Sequence, residues 1–498
     1  MKQVVIIMTD TQRKDMLGCY NRKLDMGTPN LDKLASQGIR FERAYTCQPV
    51  CGPARSSIFT GTHPHTNGML GNGMSLNQQT KTIGQRLTAE GIHSAYIGKW
   101  HLDGGDYFGN GICPEGWDPK YWYDMRNYLD EMNDENKFKA RQFNSAFTED
   151  LPAEFTFAHG CSERAIEFLR KNKNEDFLLV VSYDEPHHPF IAPQKYYEQF
   201  KIRAHSNYGN LNDDLQNKPE HISVWHDSEG EFDYSSYNIL GCNSFADNEI
   251  GRVLSEIENL TDDAMVIYTS DHGDALGAHG ITNKGPAVFE EITNIPLIYK
   301  WKNKIKENTI TLNPASHIDI VPTVLDYFEL MIPESLEGKS ILNELTGKVN
   351  KTNNYVFMEF TRYEIDHDGF GGHQPLRAVT DGRYKLSVNL LTSDELYDTD
   401  NDPGEMNNLI NDENYVEIRD RMHDRLLEWM NETRDPFRGY YWERRPWRKN
   451  ARPASWDYTG MTRQRATEEG ETVQLDYMTG LPFNKRTRKK GEFEENGD

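Results

Sequence analysis

Short apolar, β-branched runs alternate with longer segments of helical spacing through most of this 498-residue chain. Val4–Met8, His93–Ile97, Phe177–Tyr183, Met265–Thr269 and Pro296–Tyr299 read as buried strands. Between them Asn30–Gln37, Ile83–Ala89, Ser162–Lys171 and Ala246–Leu260 read as helices. That alternation predicts an α/β fold with a mainly parallel mixed sheet flanked by helices. After Gly347 the pattern changes. Asn354–Phe360 and Tyr384–Asn389 read as strands, and Tyr415–Thr433 is a helix with Ile418, Met422, Leu426 and Trp429 on one face. The expected organisation is therefore a large α/β domain over 1–350 and a smaller C-terminal α+β domain over 351–435. The segment 436–498, rich in Arg, Trp, Tyr and Gly, reads as an extension that wraps the body or completes a subunit interface.

In folds of this class ligands bind beyond the carboxyl ends of the strands. Polar residues gather there: Asp10, then Lys99 and His101, then Asp184-Glu185-Pro186-His187, then Asp271-His272. Packing alone does not explain four segments converging on one rim. Asp10 by itself reads equally well as a helix cap. Paired with Asp271 and His272 at a matching strand end, it makes an oxygen-rich site suited to a hard divalent cation.

The most informative segment is Cys51-Gly52-Pro53-Ala54-Arg55, which continues through Ser56-Ser57-Ile58-Phe59-Thr60-Gly61. Proline suits the first helical position, so Cys51 is expected at a helix N-terminus, where free N–H groups and the dipole favour an anion. The segment resembles the C-x-P-x-R signature of the type I sulfatases, within the alkaline phosphatase superfamily. The resemblance implies that Cys51 is oxidised to formylglycine by a separate maturing enzyme. One hydroxyl of the hydrated aldehyde would attack sulfur, and the second would lose its proton as sulfate leaves.

Further ordered motifs carry the same resemblance. Gly91 through Lys99-Trp100-His101 resembles the second signature, which implies that Lys99 binds sulfate oxygens and bridges to the nucleophile, and that His101 positions the formylglycine and accepts its proton when sulfate is eliminated. Lys99 and His101, two apart, are also expected to share one side of an extended strand end. Pro186-His187-His188-Pro189 resembles Pro-His-x-Pro, with His187 as the group protonating the leaving alkoxide and His188 as runner-up. Gly277-Ala278-His279-Gly280 followed by Lys284 implies a second lysine on the sulfate, while His279 reads at least as well as structural. Arg55, Lys99 and Lys284 would then surround the sulfuryl oxygens. The metal, calcium by resemblance, would be held by Asp10, Asp271, His272 and modified Cys51. Thr11 departs from the family, which often has a second Asp there. Arg377-Ala378-Val379, Gly382 to Leu386, Glu395 to Asp398, Asp402-Pro403 and Asn408-Leu409 resemble the family's C-terminal sheet. The Gly-rich loop Asp366–Gln374 reads either as the substrate entrance or as a surface turn.

Charge and composition narrow the partners. A formal net charge of −23 excludes nucleic acid as a general partner, and the basic clusters Arg444–Lys449 and Lys485–Lys490 read as tail or subunit contacts. No apolar run approaches the ~18 residues of a membrane span. Six cysteines in so long a chain, without CxxC pairs, do not form a disulfide framework. The Val4–Met8 run is shorter than a signal-peptide core, so the expected placement is cytoplasmic, or periplasmic or secreted if a signal has been removed. The expected function is hydrolysis of a sulfate ester, first among candidates a sulfated carbohydrate. Its rivals are a phosphonate monoester or phosphodiester hydrolase of the same superfamily and an inactive sulfated-glycan binder. Oligomerisation is left open.

Overall fold

The computed structural model describes residues 1–21, 25–104, 107–142, 150–200, 209–229, 237–261, 263–364 and 372–449. Seven strands form the main sheet: β1 (Gln3–Thr9), β2 (Ile39–Tyr45), β3 (His93–Gly98), β4 (Phe177–Ser182), β5 (Met265–Ser270), β6 (Asn294–Trp301) and β7 (Thr309–Ser316). Their order is β3-β4-β1-β5-β6-β2-β7. All neighbours are parallel except β6, which runs antiparallel to both β5 and β2.

Continuous apolar runs in β1, β4 and β5 follow from burial on both faces. Alternate residues feed two separate cores. Val5, Ile7, Ala95, Ile97, Leu179 and Val181 face the helices Pro29–Ser36, Phe157–Asn172 and Tyr237–Leu260. Val4, Ile6, Met8, Tyr96, Leu178 and Val180 face the helices Cys51–Thr60, Ile83–Ala89 and Ile320–Tyr327. Each fully buried aliphatic side chain contributes about 1.5–3 kcal/mol.

A second sheet contains β8 (Val356–Arg362), β9 (His373–Thr380), β10 (Tyr384–Asn389) and β11 (Glu395–Asp398), in the order β11-β10-β9-β8 and antiparallel throughout. The helix Val416–Glu432 follows, burying Met422, Leu426 and Trp429 of the expected stripe, with Ile418 only half-buried. The main sheet is joined to the second through Tyr45, Val50 and Val288, which pack with Val356, Met358 and Phe360. The Glu359 N–H also donates to the Cys47 carbonyl at 2.7 Å. Met1–Arg438 forms one compact unit and Gly439–Asp498 another. Among the described residues no helix is long and apolar enough to cross a membrane.

Two strands of the main sheet were not expected from the pattern. β2 mixes Arg40, Glu42 and Arg43 into its apolar positions and shifts register between Phe41 and Ala44. β7 is an edge strand that contains Pro314, a residue tolerated where the ladder has only one side. Most of the loop Asp366–Gln374, its residues 366–371, lies outside the described residues, as does Lys485–Lys490.

Candidate active site

Strand order alone brings the rim residues together. In the parallel pair β1/β5, Thr9 stands opposite Ser270, so Asp10 and Asp271 emerge side by side. Met8 stands opposite Ser182 in β4, and Ser182 opposite Gly98 in β3, so Asp184 and Lys99 leave at the same edge. Gly98 closes the corner at φ 120°, and a Cβ there would sit 1.9 Å from the Ser182 carbonyl oxygen. The chain then donates from Lys99 N to that same carbonyl at 2.8 Å.

The helix Cys51–Thr60 enters from the other layer with every residue buried. It starts at Cys51 with Val50 as N-cap, two residues earlier than the expected Pro53 start. Pro53 still lies in the first turn, where a backbone N–H has no partner within the helix. The Gly52 N–H is taken instead by Asn72 Oδ1 at 2.8 Å. Gly61 ends the helix in the left-handed region.

Arg55, one turn into this helix, is fully buried and ties the rim together. Nε donates to Asp271 Oδ2 at 3.0 Å and Nη2 to Asp10 Oδ2 at 2.9 Å. Nη1 donates to the Lys99 carbonyl at 2.6 Å and to Ser182 Oγ at 2.8 Å. These donors are spent on the protein, so Arg55 underpins the two carboxylates and not, as expected, the sulfuryl oxygens. Because Arg55 takes the Oδ2 atoms, Oδ1 of each Asp is left facing Cys51 and His272. Cys51 Sγ lies 3.8 Å from Asp10 Oδ1 and 3.2 Å from His272 Nε2. His272 Nδ1 donates to the Gly273 carbonyl at 2.8 Å, so its lone pair sits on Nε2, toward the same point.

Ligand atoms of Asp10, Cys51, Asp271 and His272 all lie within 4.8 Å of one another, so this donor set fits a divalent cation. Thr11 Oγ1 is committed to Asp10 Oδ1 at 2.7 Å and its N–H to Asp271 Oδ1 at 3.1 Å. It orients ligands here and replaces no carboxylate. A second group, His65, Glu359 and Asp435, is equally tight. There Arg377 Nε stands 2.5 Å from Asp435 Oδ2 and 3.8 Å from Glu359 Oε2, which puts a fixed cation where an ion would sit.

Lys99 Nζ reaches Asp10 Oδ2 at 2.7 Å and Asp184 Oδ1 at 3.1 Å. Lys284 Nζ lies 3.3 Å from His187 Nε2, which is 3.9 Å from Asp10 Oδ1. His188 is exposed and stacks on His187 at 4.1 Å, so His187, and not the runner-up, faces the rim. His101 takes φ 58° after β3 has already ended. It therefore shares no strand face with Lys99, contrary to the two-residue spacing. Its carbonyl lies against Gly52 and its ring against Tyr107. His279 belongs elsewhere, bonded to Asp213 at 2.7 Å and stacked on Phe289.

The charges respond to this crowding. Burial alone would raise Asp10, yet Lys99, His187 and Arg55 hold its carboxyl well below the usual range. Burial and the neighbouring Asp10 push Asp271 up to about 7. For Cys51, burial and Asp10 act upward and are outweighed by Lys284, Lys99 and His272, which draw the thiol well down. Burial, Lys284 and Lys99 lower His187. The site thus stabilises negative charge at the Cys51 position.

Comparison with known proteins gives the family of the chain. Residues 2–330 match the family model described as Sulfatase. The chain belongs to the sulfatase family. Residues 277–432 match a second model, the N-sulphoglucosamine sulphohydrolase C-terminal region. The uncharacterized sulfatase YidJ of Escherichia coli (strain K12) is 43% identical, the alignment covering 98% of this chain and 99% of that protein. The structure of BT4656 in complex with its substrate D-glucosamine-2-N,6-O-disulfate superposes with a TM-score of 0.70, at 21% identity and over 87% and 98% of the two chains. The phosphonate monoester hydrolase of Silicibacter pomeroyi gives 0.71, at 19% identity and over 87% and 96%. The chain therefore shares its fold with a phosphonate monoester hydrolase as well as with sulfatases, and by its family it is a sulfuric ester hydrolase.

Functional residues beyond the sequence reading also emerge. Asp184 was visible on the rim without a role; it now anchors Lys99 and Arg141, whose Nη1 lies 3.4 Å away. Tyr107 and Asn72 carried no signal, because each comes from a loop whose path the apolar pattern does not fix.

Proposed function

We propose that this sulfatase removes a sulfate ester from a sulfated carbohydrate, with Cys51 as formylglycine supplying the nucleophile. The carrying observation is that the Cys51 side chain shares its position with Asp10 and His272 while Lys99, Lys284 and His187 close around the same point. The saccharide class is supported by the N-sulphoglucosamine family model and by the disulfated glucosamine bound in the BT4656 structure.

Asp10, Asp271, His272 and modified Cys51 would hold the cation, calcium by resemblance, which when bound polarises a sulfuryl oxygen and offsets charge. Lys99 and Lys284 present ammonium groups where negative charge grows on the sulfuryl oxygens. Arg55 fixes Asp10 and Asp271 so that their outer oxygens keep one geometry. His187 gives its Nε2 proton to the leaving sugar oxygen, and Lys284 Nζ, 3.3 Å from that nitrogen, is placed to hold it once the proton has gone.

The deciding experiment is mass spectrometry of the Cys51 peptide from native-host protein, combined with Cys51→Ala. An aldehyde at Cys51 and loss of sulfate-ester hydrolysis in the variant are expected; undiminished turnover would falsify the nucleophile. A panel of sulfated mono- and disaccharides then fixes the substrate class. The Asp271-His272 pair and the absent second acid at Thr11 also favour phosphonate monoesters as a rival. Faster turnover of an aryl phosphonate than of the matching aryl sulfate would establish it.

A further inference from the structure

The imidazole of His187 is held from behind by a chain of groups that ends on a carboxylate. Its Nδ1 lies 2.8 Å from the His188 carbonyl oxygen and 3.0 Å from the Tyr107 hydroxyl. A carbonyl only accepts, so Nδ1 carries the hydrogen in both protonation states. The Tyr107 oxygen is thus also an acceptor toward His187, and its own hydrogen points to Asp184 Oδ1, with which it makes a short hydrogen bond. Asp184 is in turn fixed by Lys99 Nζ at 3.1 Å and Arg141 Nη1 at 3.4 Å. The Tyr107 ring packs under Lys99 Nζ, 3.9 Å from the ring centre, and beside Arg141. Ring and hydroxyl have separable duties, since a phenylalanine would keep the first and lose the second.

We propose that Tyr107 is a positioning residue for proton donation: it links Asp184 to His187 so that Nδ1–H stays turned inward and Nε2–H is aimed at the leaving oxygen. The inference rests on the reading of His187 as the proton donor. In that step the proposed nucleophilic oxygen at position 51 bonds to sulfur as the bond to the leaving oxygen breaks; the electrons of that bond pass to the leaving oxygen, which takes the proton from Nε2. The imidazolium becomes a neutral imidazole that retains Nδ1–H, still bonded to the His188 carbonyl and the Tyr107 oxygen. The hydroxyl–carboxylate pair behind it keeps Nδ1–H in place through the transfer and holds one tautomer after it.

The test is Tyr107→Phe, assayed as kcat/KM across a series from 4-nitrophenyl sulfate through phenyl sulfate to an alkyl sulfate. A good leaving group needs little proton donation and a poor one needs much, so general acid catalysis is read from the slope. The expected result is a loss of about tenfold or more for the alkyl ester with less than about twofold for the nitrophenyl ester. Equal losses along the series, or none, overturn the proposal. His187→Ala run beside it separates the two ideas. If it too shows no leaving-group dependence, the donor assignment fails; if it is steep while Tyr107→Phe is flat, only the role of Tyr107 fails. Should Tyr107→Phe not fold, 15N-histidine NMR of the wild-type enzyme decides. A neutral His187 protonated on Nδ1 is expected, and the Nε2–H tautomer overturns the proposal.

Discussion

Arg55 shows how much one side chain organises. Its fork satisfies Asp10, Asp271, the Lys99 carbonyl and Ser182 at once, a geometry that a lysine ammonium cannot copy. Arg55→Ala takes from Asp271 its buried guanidinium partner and leaves Asp10 to Lys99, and a destabilisation of about 3–5 kcal/mol is expected by denaturant melting. Arg55→Lys keeps a charge but loses the fork; near-wild-type stability with activity down by about a hundredfold or more is expected, because nucleophile-side groups need sub-ångström placement. A second residue-scale prediction concerns the cation. Stripping with EDTA should abolish activity, and metal analysis of untreated protein should find about one divalent ion per chain, lost in Asp10→Asn.

At the scale of elements, the strand ends carry the site and the turns aim it. Gly98→Ala places a methyl group inside the Ser182 carbonyl contact, so either β3 separates from β4 or the corner moves Lys99. Expression as aggregate, or folded protein with little activity, is the expected outcome; wild-type kcat/KM would show that the corner is not needed. The helix Val416–Glu432 matters through Trp429, whose Nε1 donates to His63 Nε2 at 3.2 Å just beyond the end of the Cys51 helix. Burial and His65 push His63 down to about 3, and burial pushes His221 down to about 4. Their unfolded values lie near 6.5, so below that pH the unfolded chain binds more protons. Stability is therefore full above about pH 6.5 and falls on acidification toward pH 3, by about 1.4 kcal/mol per pH unit for each such histidine. Urea melts between pH 7 and pH 4 check this, with a shallower slope in His63→Gln.

Period-based reading found the elements that are buried on both faces, because nothing but apolar residues fits there. It lost β2 and β7, whose half-polar faces look like loop. The same physics divides the site. Asp10, Lys99, His187 and Asp271 sit beside strand ends and could be read from the chain. The partnership of Arg55 with both carboxylates, the support of His187 by Tyr107 and the cap from Asn72 depend on distant segments meeting, which no local pattern encodes.

For the whole molecule, the net charge of −23 opposes the arrival of an anionic ester, while the cations that welcome it lie inside the rim. At low salt the outer field reaches about 30 Å, and at 0.15 M about 8 Å. The kcat/KM for a sulfated disaccharide should therefore rise as salt is raised from about 10 mM to about 150 mM. A neutral leaving-group analogue carrying only the one sulfate should show a smaller rise. The burial of the Cys51 helix imposes a history as well as a geometry. Cys51 is 1% exposed, and no residue of its helix reaches solvent freely. If Cys51 is oxidised as proposed, a maturing enzyme would reach it only before this fold closes, so conversion would come first and packing second. Chain refolded in its unmodified form should stay permanently inactive when offered such an enzyme, whereas the same chain held unfolded should remain convertible. On the proposed function, maturation would then be a race between a chemical step and the collapse of two sheets onto one helix.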